Sequence, residues 1–436
     1  MTLVAPDPTR TVPLPLREQA DVRDRWLTQR VLDLLPGLMD RAGIDLWLVV
    51  GREYNEDPVL ATLLPATWLS ARRRTILVLH RSDDGVTAAA ASRYPVGQFL
   101  PAWSPEDAGG PPTEQGQWAE VRRIVEQADP RRIGIDVSAD FALADGLSHT
   151  EHRQLTEALG PYADRLVSAE ELAVGWLETR LPEEVAALHG LNRLVGEVVE
   201  EAFSPAVLTV GETTATDLAW WIRQRLTDLG LDPWFHPVVD LQRAGVPPVE
   251  ECGALLPAVP YHSPVLPGDL VHCDVGTSSL GLKTDSQRTG YVLGPGERAA
   301  PAGLRRALRT GTRLQDLTTA ELLVGRTGNE VLAAARAAAA AEGIDGDVYS
   351  HPVGFHGHGA GPAIGLWDDQ HGVPGAGDRV LHADTVYALE LCVRVPVPEW
   401  GGQPVRIALE EGIALTGAGV TYLGDRQTEL VLIPTG

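Results

Sequence analysis

The run GDLVHCDVGTSSLGLKTDSQRTGYV, residues 268–292, says more about the fold than any other part of the chain. Apolar and β-branched runs flank a Ser-Ser-Leu-Gly turn, a pattern that predicts a β-hairpin. Asp274 lies before the turn and Asp285 after it. Their midpoint falls between Ser279 and Leu280, so a hairpin symmetric about that point sets the two aspartates directly opposite each other. Cross-strand neighbours hold their Cβ atoms roughly 4.5–5.5 Å apart, and like charges at that separation destabilise a sheet. A shared proton or a cation relieves the repulsion.

A second hairpin is expected at residues 384–416, DTVYALELCVRVPVPEWGGQPVRIALEEGIALT, with its turn at 398–402. Glu390 and Glu410 lie equally far from Trp400, so they too should face each other. Side chains alternate across a strand. Glu390 therefore shares its face with Ala388 and Cys392, and Glu410 with Ala408, Gly412 and Ala414. These small neighbours leave room around both carboxylates. The competing reading is a structural ion pair with Arg394 or Arg406.

Between the hairpins lies YSHPVGFHGHGAGPAIGLWDD, residues 349–369, with His351, His356 and His358 among five glycines. Glycine next to histidine lets the backbone pass close to a ligand. Carboxylates combined with imidazole suit Mn²⁺, Co²⁺, Zn²⁺ or Fe²⁺ better than Ca²⁺ or Mg²⁺, which take oxygen shells. Four carboxylates over-neutralise a single divalent ion, and two ions sharing bridging carboxylates balance better.

With 436 residues the chain is too long for one ordinary core and implies at least two domains. Hydrophobic residues make up 44% and charged residues 22%, as in a globular protein. A net charge of −23 argues against nucleic acid and anionic membranes as partners. No run of about 18 apolar residues is present, so no membrane span is expected. The first residues show no apolar core after a basic start, so no secretory signal is expected. Cys252, Cys273 and Cys392 form no CxxC, which fits a reducing cytoplasm rather than a disulfide framework or zinc finger.

Residues 1–20 are Pro-rich and read as an arm, with 105–115 as a surface loop. A helix is expected over 17–42, strands at 46–50, 75–80 and 132–137, and helices at 117–127 and 150–159. Together these give an α/β domain. It carries no acid, base or ligand constellation and reads as a structural or oligomerisation domain over 1–168. Residues 169–436 form the second domain, starting with long helices at 169–203 and 213–229. Beyond 231 come short strands and glycine turns, interrupted by an Ala-rich helix at 329–342.

In order and spacing, GDLVHCDVG, TDSQRT, GHGAG, LEL and LEEGIALT resemble the creatinase, aminopeptidase P and prolidase group, related to methionine aminopeptidase. The resemblance runs the whole length of the chain. It implies an α/β N-terminal domain of the creatinase N-terminal type and an α+β pita-bread C-terminal domain built from two related halves. It also implies a dinuclear site, with Mn²⁺ the first expectation. Asp274 would bind one metal, His358 and Glu390 the other, and Asp285 and Glu410 both. A water activated by the two cations would attack a peptide or amide carbonyl, with Glu390 moving the proton. His262 matches a histidine that contacts substrate, and His351, His356 and Arg288 are further substrate-binding candidates. Xaa-Pro peptides are the implied substrates and a homodimer the implied assembly. A creatinase-like hydrolase of a small amide and a non-catalytic binding protein are the alternatives on the same fold.

Three features depart from the family pattern. Three histidines compete for the metal, and His358 is preferred because it lies in GHGAG at a familiar distance from Glu390. The family's second histidine, followed by an acid, is absent around Trp367-Asp368-Asp369, where His351 or His356 could substitute. Gln287 replaces a threonine after Asp285, and Leu391 a proline after Glu390.

Overall fold

The computed structural model describes residues 13–92, 95–101, 114–251 and 254–435. The first twelve residues, most of the expected 105–115 loop, and Cys252 lie outside that set. The described chain divides into two compact units between Glu178 and Thr179.

The first unit opens on the helix Leu16–Gln29, a π turn Arg30–Leu34 and the helix Leu35–Ala42. Its six-stranded sheet runs in the order Leu100–Pro101, Gly85–Ala90, Arg74–Ser82, Leu46–Arg52, Ile133–Ile135, Leu166–Ser168. Leu46–Arg52 is central, and Leu46 to Val50 are all buried, which explains its unbroken apolar run. It pairs antiparallel with Arg74–Ser82 and parallel with Ile133–Ile135.

The sequence reading ended this unit at Ser168 and ran one helix across 169–203. In the structure, the helix Glu170–Glu178 belongs to the first unit, with Leu172, Ala173, Val174 and Trp176 buried. Trp176 donates from Nε1 to Thr62 Oγ1 at 2.8 Å and lies under the Arg30 guanidinium. A separate helix, Pro182–Ala202, then begins. Pro182 supplies the break, because a residue without N–H fits the first turn of a helix and not its interior.

The second unit consists of two similarly built halves. In the first, helices Pro182–Ala202 and Ala215–Asp228 bury Val195, Val199, Leu218 and Ile222 against strands that include Val238–Gln242 and Leu270–Val275. In the second, helices Ala302–Glu321 and Gly328–Ala341 bury Leu304, Leu308, Val331 and Leu332 against Thr385–Val397 and Gln403–Thr416. The helix Ala302–Glu321 has no clear signature in the sequence. Its Leu304, Leu308 and Leu314 stripe is diluted by glycine and threonine, both weak helix formers.

A shared device marks the second helix of each half. Thr214 accepts from the Asp217 N–H at 3.1 Å, and Asp217 accepts from the Thr214 N–H at 2.9 Å. Thr327 and Glu330 repeat this reciprocal cap at 3.1 and 2.8 Å. Both threonines also bridge to the segment that leads into a site hairpin, Thr214 to Pro264 and Thr327 to Val380. Thr214→Ala and Thr327→Ala should each lower stability by about 1 kcal/mol. The double variant should lose about the sum, read as midpoint shifts in urea unfolding.

Candidate metal centre

The first hairpin forms, with a register two residues away from the symmetric expectation. Asp274 in Leu270–Val275 faces Gln287 in Ser286–Val292, not Asp285. The reason lies at the tip, where Ser278 and Ser279 pair with Lys283 and Leu282. Leu280 and Gly281 form the turn with φ of 55° and 80°. Two left-handed residues make a type I′ loop, whose twist matches the flanking strands. The hairpin therefore centres between Leu280 and Gly281, and shifting the centre by one residue shifts every partner by two. Asp285 stays on the same side as Asp274, as a diagonal neighbour, because side chains repeat every second residue.

The second hairpin has the expected register, with Glu390 facing Glu410. Neither arginine on its face pairs with these glutamates. Arg394 binds Asp345 and Asp347, and Arg406 donates to the Tyr349 hydroxyl at 2.9 Å. The short strand His351–Pro352 adds to the edge of this hairpin, with His351 opposite Ala388, two residues from Glu390.

These elements bring an imidazole into a nest of acids. His351 Nε2 lies 3.7 Å from Asp285 Oδ2, 3.8 Å from Glu390 Oε2 and 3.6 Å from Glu410 Oε1. Three overlapping sets place ligand atoms within 4.8 Å of one another: Asp274 with Asp285 and Glu410, His351 with Glu390 and Glu410, and Asp285 with His351 and His358. Asp285, Glu410 and His351 each belong to two sets and join the rest. Asp274 Oδ1, Asp285 Oδ1, Glu410 Oε1 and His351 Nε2 are buried without a hydrogen-bond partner. Four orphaned polar atoms converging on one place fit a divalent cation site, since burial without a partner is otherwise costly.

The imidazole nearest the two glutamates is thus His351, whereas the sequence motif favours His358. Pro352 fixes the tautomer: its carbonyl can only accept, and it lies 3.1 Å from His351 Nδ1. The proton then sits on Nδ1, and Nε2 turns a lone pair toward the carboxylates. Burial, and then the neighbouring His358, hold the His351 pKa down at about 4, so the ring is neutral. A lone pair facing carboxylates is a repulsive arrangement that a cation makes attractive.

Of the other sequence candidates, only His358 joins a set, with Asp285 and His351. His358 is exposed and packs edge-on against His351, ring centroids 4.5 Å apart. His262 is exposed in a turn, His356 is half-buried in the histidine loop, and neither joins the three sets among the described residues. Trp367 is exposed in the turn 366–369. Arg288, a substrate-binding candidate, is a structural residue instead. It points to the face opposite Gln287, where it is buried and donates to Glu411 Oε2 at 3.0 Å and to the Asp425 carbonyl at 2.8 Å.

Two features of the site escaped the sequence. The first is a buried polar chain. His272 Nδ1 lies 2.9 Å from Asp240 Oδ2, and His272 Nε2 lies 3.0 Å from Gln287 Oε1. Gln287 Nε2 in turn donates to Glu390 Oε1 at 2.7 Å. Asp240 and His272 are register partners in adjacent strands, a pairing that sequence spacing could not reveal. The second is an aromatic flank. Trp234 is half-buried and meets His358 edge-on at 5.4 Å, and its Nε1 donates to the Thr284 carbonyl at 2.8 Å. Gly276 and Gly357 let it in, because a Cβ at either would fall 2.2 Å from the indole.

Fold and site together define a metal-dependent hydrolase. Residues 188–417 match the model of metallopeptidase family M24, and the chain belongs to that family. Its second unit is the pita-bread fold, and members of the family use divalent metals. No curated protein matches it in sequence comparison. Among solved structures it is similar to an X-Pro aminopeptidase from Thermotoga maritima MSB8, at TM-score 0.62 and 16% identity over 91% of this chain and 100% of that one. It is also similar to the dipeptidase PepE from Mycobacterium ulcerans, at 0.59 and 20% over 95% and 99%. A third is an Xaa-Pro dipeptidase from Bacillus anthracis, at 0.57 and 16% over 95% and 99%.

Burial raises the pKa of all four carboxylates, to about 6 for Asp274 and about 8 for Glu390, and well above the usual range for Asp285 and Glu410. Mutual repulsion adds to this for Asp285, Glu390 and Glu410. Raised folded-state values mean the metal-free protein holds more protons folded than unfolded. Its stability is then greatest below the unfolded carboxylate values and falls as pH rises through about 6 and about 8. Chelator-stripped protein should melt lower at about pH 9 than at about pH 5.5. Mn²⁺ should narrow that gap and release protons on binding, seen as buffer-dependent heats in titration calorimetry.

Proposed function

We propose that this metallopeptidase holds two divalent cations and hydrolyses the peptide bond next to proline, as an aminopeptidase or dipeptidase. The observation behind the metal assignment is the convergence of four unpartnered buried atoms from Asp274, Asp285, His351 and Glu410. Asp285, Glu410 and His351 are each shared by two ligand sets, and of these the two carboxylates, with two oxygens each, would bridge. Asp274 would complete one position, and His351 with Glu390 the other. Mn²⁺ suits this mixture of carboxylates with a single imidazole, as do Co²⁺, Zn²⁺ and Fe²⁺. When bound, the pair polarises a substrate carbonyl and lowers the pKa of an attacking water.

The chain's own groups account for the rest. Glu390 keeps Oε2 on the cluster side while Oε1 is held by Gln287. From there it can take the proton of the attacking water and pass it to the departing amine nitrogen as the C–N bond breaks. His358, exposed beside His351, can donate to the oxygen that becomes negative. Trp234 flanks His358 with an aromatic surface suited to a prolyl ring. The printed names of the structural neighbours, X-Pro aminopeptidase and Xaa-Pro dipeptidase, support the proline preference.

Among the described residues no helix is long and apolar enough to cross a membrane. Cys273 and Cys392 are free and buried, which fits a reducing compartment, and we place the enzyme in the cytoplasm. A homodimer, implied by the resemblance, is checked by light scattering.

Purified protein should take up about two Mn²⁺ per chain. Asp285→Ala and Glu410→Ala should abolish metal uptake and peptidase activity together. His351→Ala should lose metal, whereas His358→Ala should keep it and lower kcat about 10²–10³-fold. The opposite pattern, read by metal analysis, would return the ligand role to His358. Trp234→Ala should raise KM for Xaa-Pro peptides more than for proline-free amides. Turnover of small amides without cleavage of any Xaa-Pro peptide would replace the proline reading with a small-molecule amidase.

A further inference from the structure

We propose that Gln287 is a positioning residue that selects which oxygen of Glu390 and of Asp274 faces the cations, and that His272 and Asp240 lock it in place. The inference rests on the two-cation reading above. Its basis is the direction of each hydrogen bond.

Glu390 Oε1 lies 2.7 Å from Gln287 Nε2, and Asp274 Oδ2 lies 3.5 Å from the same nitrogen. An ionised carboxylate can only accept, so the amide NH₂ must point at these two acids and the amide oxygen away from them. That oxygen lies 3.0 Å from His272 Nε2, which must then donate. His272 Nδ1 faces Asp240 Oδ2 at 2.9 Å and donates there. With both acids ionised, as they would be around cations, a flipped amide would set its oxygen against two carboxylates. That repulsion favours one orientation, and nearly all of the chain is buried: Gln287 is 2% exposed, His272 7% and Asp240 8%.

The consequence falls on the acids. The NH₂ group occupies Oε1 of Glu390 and leaves Oε2, the oxygen nearest His351. It leans on Oδ2 of Asp274 and leaves Oδ1, one of the four unpartnered atoms. Each acid thus offers the cluster one defined oxygen, with its rotamer already set. Gln287 can reach both because it is the direct register partner of Asp274 and belongs to neither glutamate strand. A threonine at this position, as in the resembling family, would be too short to span the two acids and His272 together.

The test uses full-length protein with Mn²⁺ and Co²⁺ as probes. Gln287→Leu keeps a similar volume and removes the donor. Its calorimetric affinity for Mn²⁺ should fall about ten- to a hundredfold, the usual effect of losing a group that orients a metal ligand. The visible absorption of the Co²⁺-loaded variant should change, a signature that general destabilisation does not produce. The metal-free variant should stay folded but melt somewhat lower, because His272 Nε2 and Glu390 Oε1 lose a buried partner. If Gln287→Leu does not fold, His272→Leu, which leaves Gln287 in place without its lock, should show a smaller change of the same kind. A variant with the unchanged protein's Mn²⁺ isotherm and Co²⁺ spectrum overturns the inference and leaves the two-cation reading intact. Failure of the unchanged protein to bind Mn²⁺ overturns that reading and this inference with it.

Discussion

Four carboxylates are forced together in the interior of this protein, and that repulsion organises the second unit. Asp285 and Glu410 are almost fully buried, with Asp274 and Glu390 beside them. Isolated buried charges of one sign are among the least favourable arrangements a fold can hold. The metal-free protein meets the problem with protons, as the raised pKa values of all four acids show. Divalent cations would meet it better and become part of the energetics of the fold. The surroundings fit a site that exists for cations, since both hairpin arginines are turned to other partners.

Holding such a cluster requires stiff supports on both sides, and the two halves provide them. Each half lays two helices on a sheet and sends one hairpin to the centre. Each fixes its second helix with a reciprocal threonine–acid cap, and ties that cap to the segment entering the hairpin. Ligand positions are therefore set by sheet register, which a packed core resists changing, and not by loops. The histidine loop is the exception. It carries its imidazole on a two-residue strand hydrogen-bonded to the edge of the second hairpin, which gives a glycine-rich segment the precision that a ligand needs.

Around the acids, polarity and apolarity are divided by side. Gln287, His272 and Asp240 supply directed hydrogen bonds on one flank. Trp234 and His358 supply aromatic surface on the other, made possible by Gly276 and Gly357. Such a site can orient its acids from behind while offering substrate a largely apolar approach, the usual design of small-molecule and peptide pockets.

The sequence by itself determined the two hairpins, the four acids, the α/β character of the first unit and the family. These depend on local periodicity and on residue types at short spacing, which a linear reading can count. It also set Glu390 against Glu410, because that hairpin is long and symmetric about its turn. It misplaced the partner of Asp274 by two residues, since a one-residue difference in the turn doubles along the ladder and the left-handed Leu280 carries no distinctive sequence signal. Only the tertiary structure set His351 toward the glutamates, because both histidines lie in one glycine-rich loop and only His351 pairs with Ala388. Only it joined Asp240 to Gln287 through His272, assigned Arg288 to Glu411, and set Trp234 against the histidines. These contacts link residues distant in sequence across strands and loops, and their geometry comes from packing that no spacing along the chain encodes.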